Sequence, residues 1–389
     1  IISSAADWNN FVTSVNNGAN CSGTYVKLTA DISVTEMVGT SESNSFQGTF
    51  LGDGVHTLTF TKGTSESAFG EENCAPFRYV KNATIRDLKV AGYIYTSRKL
   101  AAGLVSRPYG TTNITNCQVS TVIYSSVNGD SAHGGIVAMP SGTLNFAGCV
   151  YTGHLLTNNE SINCGGFMGW YNNATVSVTN SLYIPSGSIA EGWSAITNGV
   201  TFLRGGSPTI NNCYYTEALG TEQGRFVYTT TTTAPVNLGI LKAEYSMLTA
   251  YANGILFEGT YYVAQALNGA GTVGNPYIIA TDDDWETFVY NVNNGFNNYN
   301  GEYVRLDESI SVSTMVGTSD DRSFQGTFLG DGVHTLTFTK GSSESAFNEE
   351  YCAPFRYVKN ATIKNLKVAG DIYTSRKFAA GLVAQPSEI

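Results

Sequence analysis

Charge is what this sequence has least of. Asp, Glu, Lys and Arg make up 13% of its 389 residues, against about 25% in an average soluble protein. The acidic side prevails, with a net charge of −10 and a pI near 4.9, which disfavours nucleic acids and anionic membrane surfaces as partners through long-range repulsion. No run of about 18 apolar residues occurs, so no membrane insertion is expected. No export signal is present either. The abrupt start at Ile1-Ile2-Ser3 reads as that of a fragment from which any such signal has been removed, which leaves the compartment open. The seven cysteines (Cys21, Cys74, Cys117, Cys149, Cys164, Cys213 and Cys352) include no CxxC pair and no zinc-finger spacing, and an odd number is a poor disulfide framework in a chain this large. The four histidines include no HExxH pair. No metal, cofactor or catalytic residue is expected.

What is abundant is Gly, with 42 residues, and Tyr, with 23. With so few charges, Ser, Thr, Asn and Tyr must form the polar surface, which suits β-structure with many turns. The length exceeds that of one ordinary core, so several domains or a solenoid are expected. A long-range duplication favours the second. Phe46 to Val105 matches Phe324 to Val383 with seven differences, FQGTFLGDGVHTLTFTKG standing at 46–63 and again at 324–341. Each copy opens with an expected helix: Trp8, Phe11, Val12 and Val15 fall at i, i+3, i+4 and i+7, as do Trp285, Phe288, Val289 and Val292. Ser4 or Thr281 is placed to cap it and Gly18 or Gly295 to stop it. Such a helix can cover a bare first rung of sheet. We therefore divide the chain into a first module at 1–215, a β-rich cap and connector at 216–277, and a second, truncated module at 278–389.

A shorter period runs inside the first module. TIRDLKV (84–90), NITNCQV (113–119), NFAGCVY (145–151), SVTNSLY (177–183) and TINNCYY (209–215) are centred on Leu88, Cys117, Cys149, Ser181 and Cys213, at spacings of 29, 32, 32 and 32. AAGLV (101–105), HGGIV (133–137) and CGGFM (164–168) recur between them. A unit of this length cannot bury its own apolar face, so copies must stack. Ile, Val, Thr, Tyr and Phe alternating with polar residues make the units β, and the Ala, Leu, Glu and Lys runs of helical repeats are missing. Stacked rungs lie about 4.8 Å apart, which predicts the five central residues as one inward column. Side chains in such a column stand side by side, which predicts no disulfide between Cys117 and Cys149. The glycine pairs Gly134-Gly135 and Gly165-Gly166 are expected at coil corners, for positive φ or for close backbone approach.

GGIV or GGFM followed about ten residues later by N-C-x-Y/V resembles the GLUG motif, and FQGTFLGDGVHTLTF resembles the coil that precedes it in GLUG proteins. The resemblance covers roughly residues 1–215 and 278–389. It implies an all-β, right-handed parallel β-helix (solenoid) with short capping helices in two tandem modules, displayed on the surface of gut bacteria or secreted by them. Some members are labelled immunoglobulin-A-specific metalloprotease-like, but that activity needs the HExxH helix this chain lacks.

Two functional classes follow. One is a non-catalytic, adhesin-like solenoid that presents loops to host or matrix glycans or proteins. Trp170, Tyr171, Trp193, Tyr214 and Tyr215 are its candidate ligand-binding residues, and Tyr261-Tyr262 offers a further aromatic pair. The other is a carbohydrate-active enzyme, a polysaccharide lyase or glycosidase, which needs two carboxylates about 5–10 Å apart in one cleft. Asp53 and Asp331, each in Leu-Gly-Asp-Gly, read as turn residues. Glu71-Glu72 and Glu349-Glu350 read as solvated loops, and His56 and His334 as hydrogen-bonded structural histidines. His133 and His154 lack a companion nucleophile in any recognisable motif. Cys74 and Cys352 read as buried small residues, and Asn82, Asn113, Asn159, Asn173 and Asn360 as turn residues.

Overall fold

The alternating segments become short strands that pair with their counterparts one repeat away. The computed structural model describes residues 1–227, 229–231, 247–251, 254–264 and 267–387. It divides into two compact units, Ile1–Ala264 and Gln265–Ile389. Among the described residues the architecture is a parallel β-solenoid of about ten turns with two helices.

In the first unit one sheet stacks Tyr25–Lys27, Thr49–Leu51, Thr84–Arg86, Val105–Thr115, Ser141–Ala147, Thr175–Thr179 and Thr209–Asn211, all parallel. A second runs through Ile32–Val34, Thr57–Lys62 and Lys89–Thr96 and continues through Tyr214–Tyr215 to Arg225–Phe226. A third face pairs Gly129–Gly134 with Ser161–Gly165. The corner between the first two sheets is turned by Asp87, Asn116, Gly148, Asn180 and Asn212, all at φ between 47° and 64°. Asn and Gly tolerate this left-handed geometry best, which is why they recur there. Asn113, by contrast, lies in a strand, where its side-chain oxygen accepts from Asn145 Nδ2 at 3.0 Å.

The residue after each corner points inward, and Leu88, Cys117, Cys149, Ser181 and Cys213 are all buried. Small side chains suit the column because each works against backbone carbonyls: Cys149 Sγ donates to Ile114 O at 3.3 Å and Ser181 Oγ to Thr179 O at 2.8 Å. All seven cysteines are free thiols. Burial pushes the Cys74, Cys149, Cys164 and Cys213 thiols up to about 12. Thiol titration should accordingly find seven groups in denaturant without reductant. In the native protein Cys21 alone, half-buried, should react quickly. Fewer than five in denaturant would mean that bridges form.

Helix α1 (Ala5–Asn16) is capped by Ser4, whose Oγ accepts from the Asp7 amide at 3.2 Å. Its apolar stripe packs edge-on against inward rings: Trp8 meets Phe50 and Phe77, and Phe11 meets Phe46. The chain leaves the helix at Gly18, φ +101°. The second unit repeats the arrangement. Helix α2 (Asp282–Asn293) is capped by Thr281, and Trp285 meets Phe328 and Phe355. Corner angles match between the copies, Asn82 with Asn360 at 50° each and Asp87 with Asn365 at 58° and 55°. Among the described residues, strands from 303 to 387 pair only within 277–387.

The stretch 216–277 differs in detail from its expected role as cap and connector. The coils run on past 215, with Arg225–Phe226 pairing onto Tyr214–Tyr215. Thr229–Thr231, Leu248–Tyr251, Gly254–Phe257 and Thr260–Val263 then form an antiparallel sheet whose 254–263 portion is a hairpin. The run TTTTTAP at 229–235 reads as a turn from its sequence, yet its first three residues are strand, and 232–235 lie outside the described residues. Leu248, Ile255 and Phe257 pack on an outward column of the first unit, Val150, Leu182 and Tyr214. The sheet thus covers a flank, because that flank is apolar.

Candidate ligand-binding surface

Strand Lys89–Thr96 alternates so that Ile94 points in while Tyr93 and Tyr95 point out. On the next rung Ile123 points in and Tyr124 out, and the register sets Tyr95 beside Tyr124. The two rings stack with centroids 4.3 Å apart and planes 7° from parallel. Tyr93, 40% exposed, meets Tyr95 edge-on at 5.5 Å. One rung further the chain makes an excursion and returns as Ser194–Ala195, antiparallel to Leu155–Thr157. This return sets Trp193 against the stack, 4.8 Å from Tyr124 and 5.8 Å from Tyr95. Burial, then the neighbouring Tyr124 and Tyr93, raises the Tyr95 phenol above its ordinary value. Four half-exposed rings with polar tips offer what an amphipathic ligand needs, an apolar face to stack on and polar edges to bind.

Of the residues singled out from sequence, Trp193 belongs to this strip. Trp170 and Tyr171 lie elsewhere and are already engaged. The Arg204 guanidinium sits 4.7 Å over Trp170 and pairs with Asp130 at 3.1 Å, while Gly205 and Gly206 press on the Tyr171 ring so closely that an added Cβ would lie 2.5 and 2.7 Å from it. Tyr214 and Tyr215 are 0% and 1% exposed and cannot offer a ring to a ligand. Tyr215 points into the coil beneath Tyr183, and Tyr214 points outward but is covered by the antiparallel sheet. Tyr261 is also buried. The second copy lacks the strip: Asp371 stands where the first has Tyr93, which leaves Tyr373, 43% exposed, at the position of Tyr95.

Two carboxylates do share a cavity, of about 240 Å³, where Asp53 and Asp87 meet Lys27 and Arg86. Asp53 holds its own turn. Its Oδ1 accepts from the Val55 and His56 amides at 2.9 and 2.8 Å, and its Oδ2 lies 2.6 Å from His56 Nδ1. Burial alone would raise its pKa, but these hydrogen bonds outweigh it and bring the carboxyl down to about 2. Asp87 is raised by burial, an effect opposed by Asn116 and Arg86. Asn365 replaces it in the second copy.

His133 does have a serine companion, which its sequence context did not reveal. Its Nδ1 accepts from the Ala101 amide at 3.0 Å, so Nε2 carries the proton and faces Ser125 Oγ at 2.9 Å, which donates onward to Ser161 Oγ at 3.1 Å. A nitrogen that already holds its proton cannot take one from Ser125, and all three residues are buried. Among the described residues no three of His, Cys, Asp or Glu gather as metal ligands, and no helix is long and apolar enough to cross a membrane. Comparison of the chain with protein-family models, with curated proteins and with solved structures found no match.

Proposed function

We propose that the chain is a non-catalytic, adhesin-like β-solenoid, displayed at the cell surface or secreted, that binds host or matrix glycans along the tyrosine strip of its first unit. The observation that carries the reading is the four-ring surface of Tyr93, Tyr95, Tyr124 and Trp193, the three tyrosines on strands and Trp193 just before the strand Ser194–Ala195. Sites on regular strands hold their geometry without an ordering cost on binding. The resemblance to GLUG proteins supports the surface location. A non-catalytic role is supported by the way both Asp53 oxygens are engaged within its turn.

The test is a glycan array probed with the whole chain and with Tyr124→Ala, which removes the centre of the stack. An aromatic platform is worth on the order of 1–2 kcal/mol per ring, so binding to the preferred glycan should weaken about ten-fold or more with the fold unchanged. Equal binding by both proteins would end the reading. Release of reducing ends from any bound glycan, lost in Asp87→Asn, would replace it with the enzymatic alternative.

A further inference from the structure

Tyr151 and Tyr183 occupy successive rungs of one inward column, yet their hydroxyls differ. Tyr151 donates to the Thr121 carbonyl at 3.0 Å, across a closed coil corner. Tyr183 is only 2% exposed, and its hydroxyl has no hydrogen-bond partner among the described residues. The cause is local. After Tyr183 the chain leaves the coil for the excursion that carries Trp193, so the corner that closes over Tyr151 stays open over Tyr183.

The opening is a cleft of about 320 Å³, at the small end of the roughly 300–1,000 Å³ typical of ligand clefts. Besides Tyr183 it is lined by His154, Thr197, Asn198 and Glu217, with Ile189 on its apolar side. His154 Nε2 lies 3.0 Å from the Ser186 carbonyl and 3.3 Å from that of Gly187. That nitrogen therefore carries a proton and donates to these carbonyls, while Nδ1 is not used by them. Polar side chains thus line the cleft together with apolar ones, and among the described residues no Lys or Arg lines it.

The geometry points to a second binding site here, for a single uncharged sugar residue. A pyranose ring presents the complementary surface, an apolar face edged by hydroxyls that both donate and accept. The Tyr183 hydroxyl lines the cleft without a partner in the protein, so it can donate to or accept from a ligand there. The absence of Lys and Arg from the described lining and the presence of Glu217 select against uronic and sialic acids. The ligand class rests on the proposed glycan-binding function; the location of the cleft does not.

Saturation-transfer NMR of the whole chain with methyl glycosides of neutral hexoses, N-acetylhexosamines and uronic acids, each at about 10 mM to reveal millimolar affinities, tests the site. At least one neutral glycoside should receive saturation and the uronic acids should not. Tyr183→Phe removes a hydroxyl that bonds nothing in the protein, so it keeps the fold and should weaken glycoside binding about five-fold or more. Thr197→Trp, which fills the cleft from its exposed rim, should abolish the signal with the circular dichroism unchanged, and Tyr124→Ala should leave it intact. No neutral glycoside bound, uronic acids bound equally well, or a signal that survives both cleft variants would overturn the site. A signal abolished only by Tyr124→Ala would overturn the cleft while sustaining the strip. A signal abolished by the cleft variants alongside a blank oligosaccharide array would sustain the cleft while the strip fails.

Discussion

Acidification from pH 6.5 to 3 should cost the first unit up to about 5 kcal/mol of stability through His133 alone. The ring is fully buried, and burial brings its pKa down from 6.5 to about 3. The unfolded chain therefore takes up a proton that the folded chain refuses anywhere between these values. The contribution is fully present above pH 6.5 and is lost steadily as the pH falls toward 3. At pH 4.5 the expected loss is about 3 kcal/mol, at roughly 1.4 kcal/mol per unit. Asp53, whose carboxyl is brought from 3.8 to about 2, gives up its own contribution only below pH 3.8, and Asp87, raised by burial, acts in the opposite sense, so the histidine is isolated by the difference between the wild type and a His133 variant. Urea unfolding at pH 7 and 4.5 measures the effect, and His133→Gln should flatten it. A wild-type curve as flat as the variant's would show that water or a counter-ion reaches the ring.

Gly134→Ala should lower the stability of the same unit by more than about 3 kcal/mol. A Cβ at Gly134 would lie 1.7 Å from the Val137 carbonyl oxygen and 2.9 Å from the Gly169 amide nitrogen, both backbone atoms in the body of the coil. Gly54→Ala is the control. Its φ of +72° with nothing within 4 Å of the added Cβ predicts only the intrinsic penalty of left-handed backbone, about 1–2 kcal/mol. Equal effects would mean that conformational freedom, rather than close approach, explains the paired glycines. The expectation left both reasons open; Gly134, Gly135, Gly165 and Gly166 all have ordinary φ and all press against backbone.

The rungs were legible in the sequence because stacking turns a linear period into a spatial column. The same periodicity carried further than it was taken. The 29-residue step from Leu88 to Cys117 also leads from Tyr95 to Tyr124, so the stacked pair was already implied. If Cys213 points inward, so must Tyr215 two residues on, which rules it out as a binding residue. Tyr214 is different. Its outward position was legible, but its cover comes from Leu248, Ile255 and Phe257, and nothing local announces that a later segment returns to that flank. The position of Trp193 and the cleft beside it depend on where the chain departs from its period, and a departure shows in sequence only as a gap.

The aromatic packing of helix α1 also bears on the order in which the molecule can assemble. Rungs of a solenoid contact only their neighbours, so structure can spread from any stable start, and within the first module synthesis delivers the early rungs before the later ones. The early part of that module carries Trp8 and Phe11, and the rings they meet, Phe46, Phe50 and Phe77, follow by residue 77. A nucleus large enough to persist is thus complete before most of the rungs exist. Each later rung then adds to a finished edge, and loop closure spans about thirty residues however long the solenoid grows.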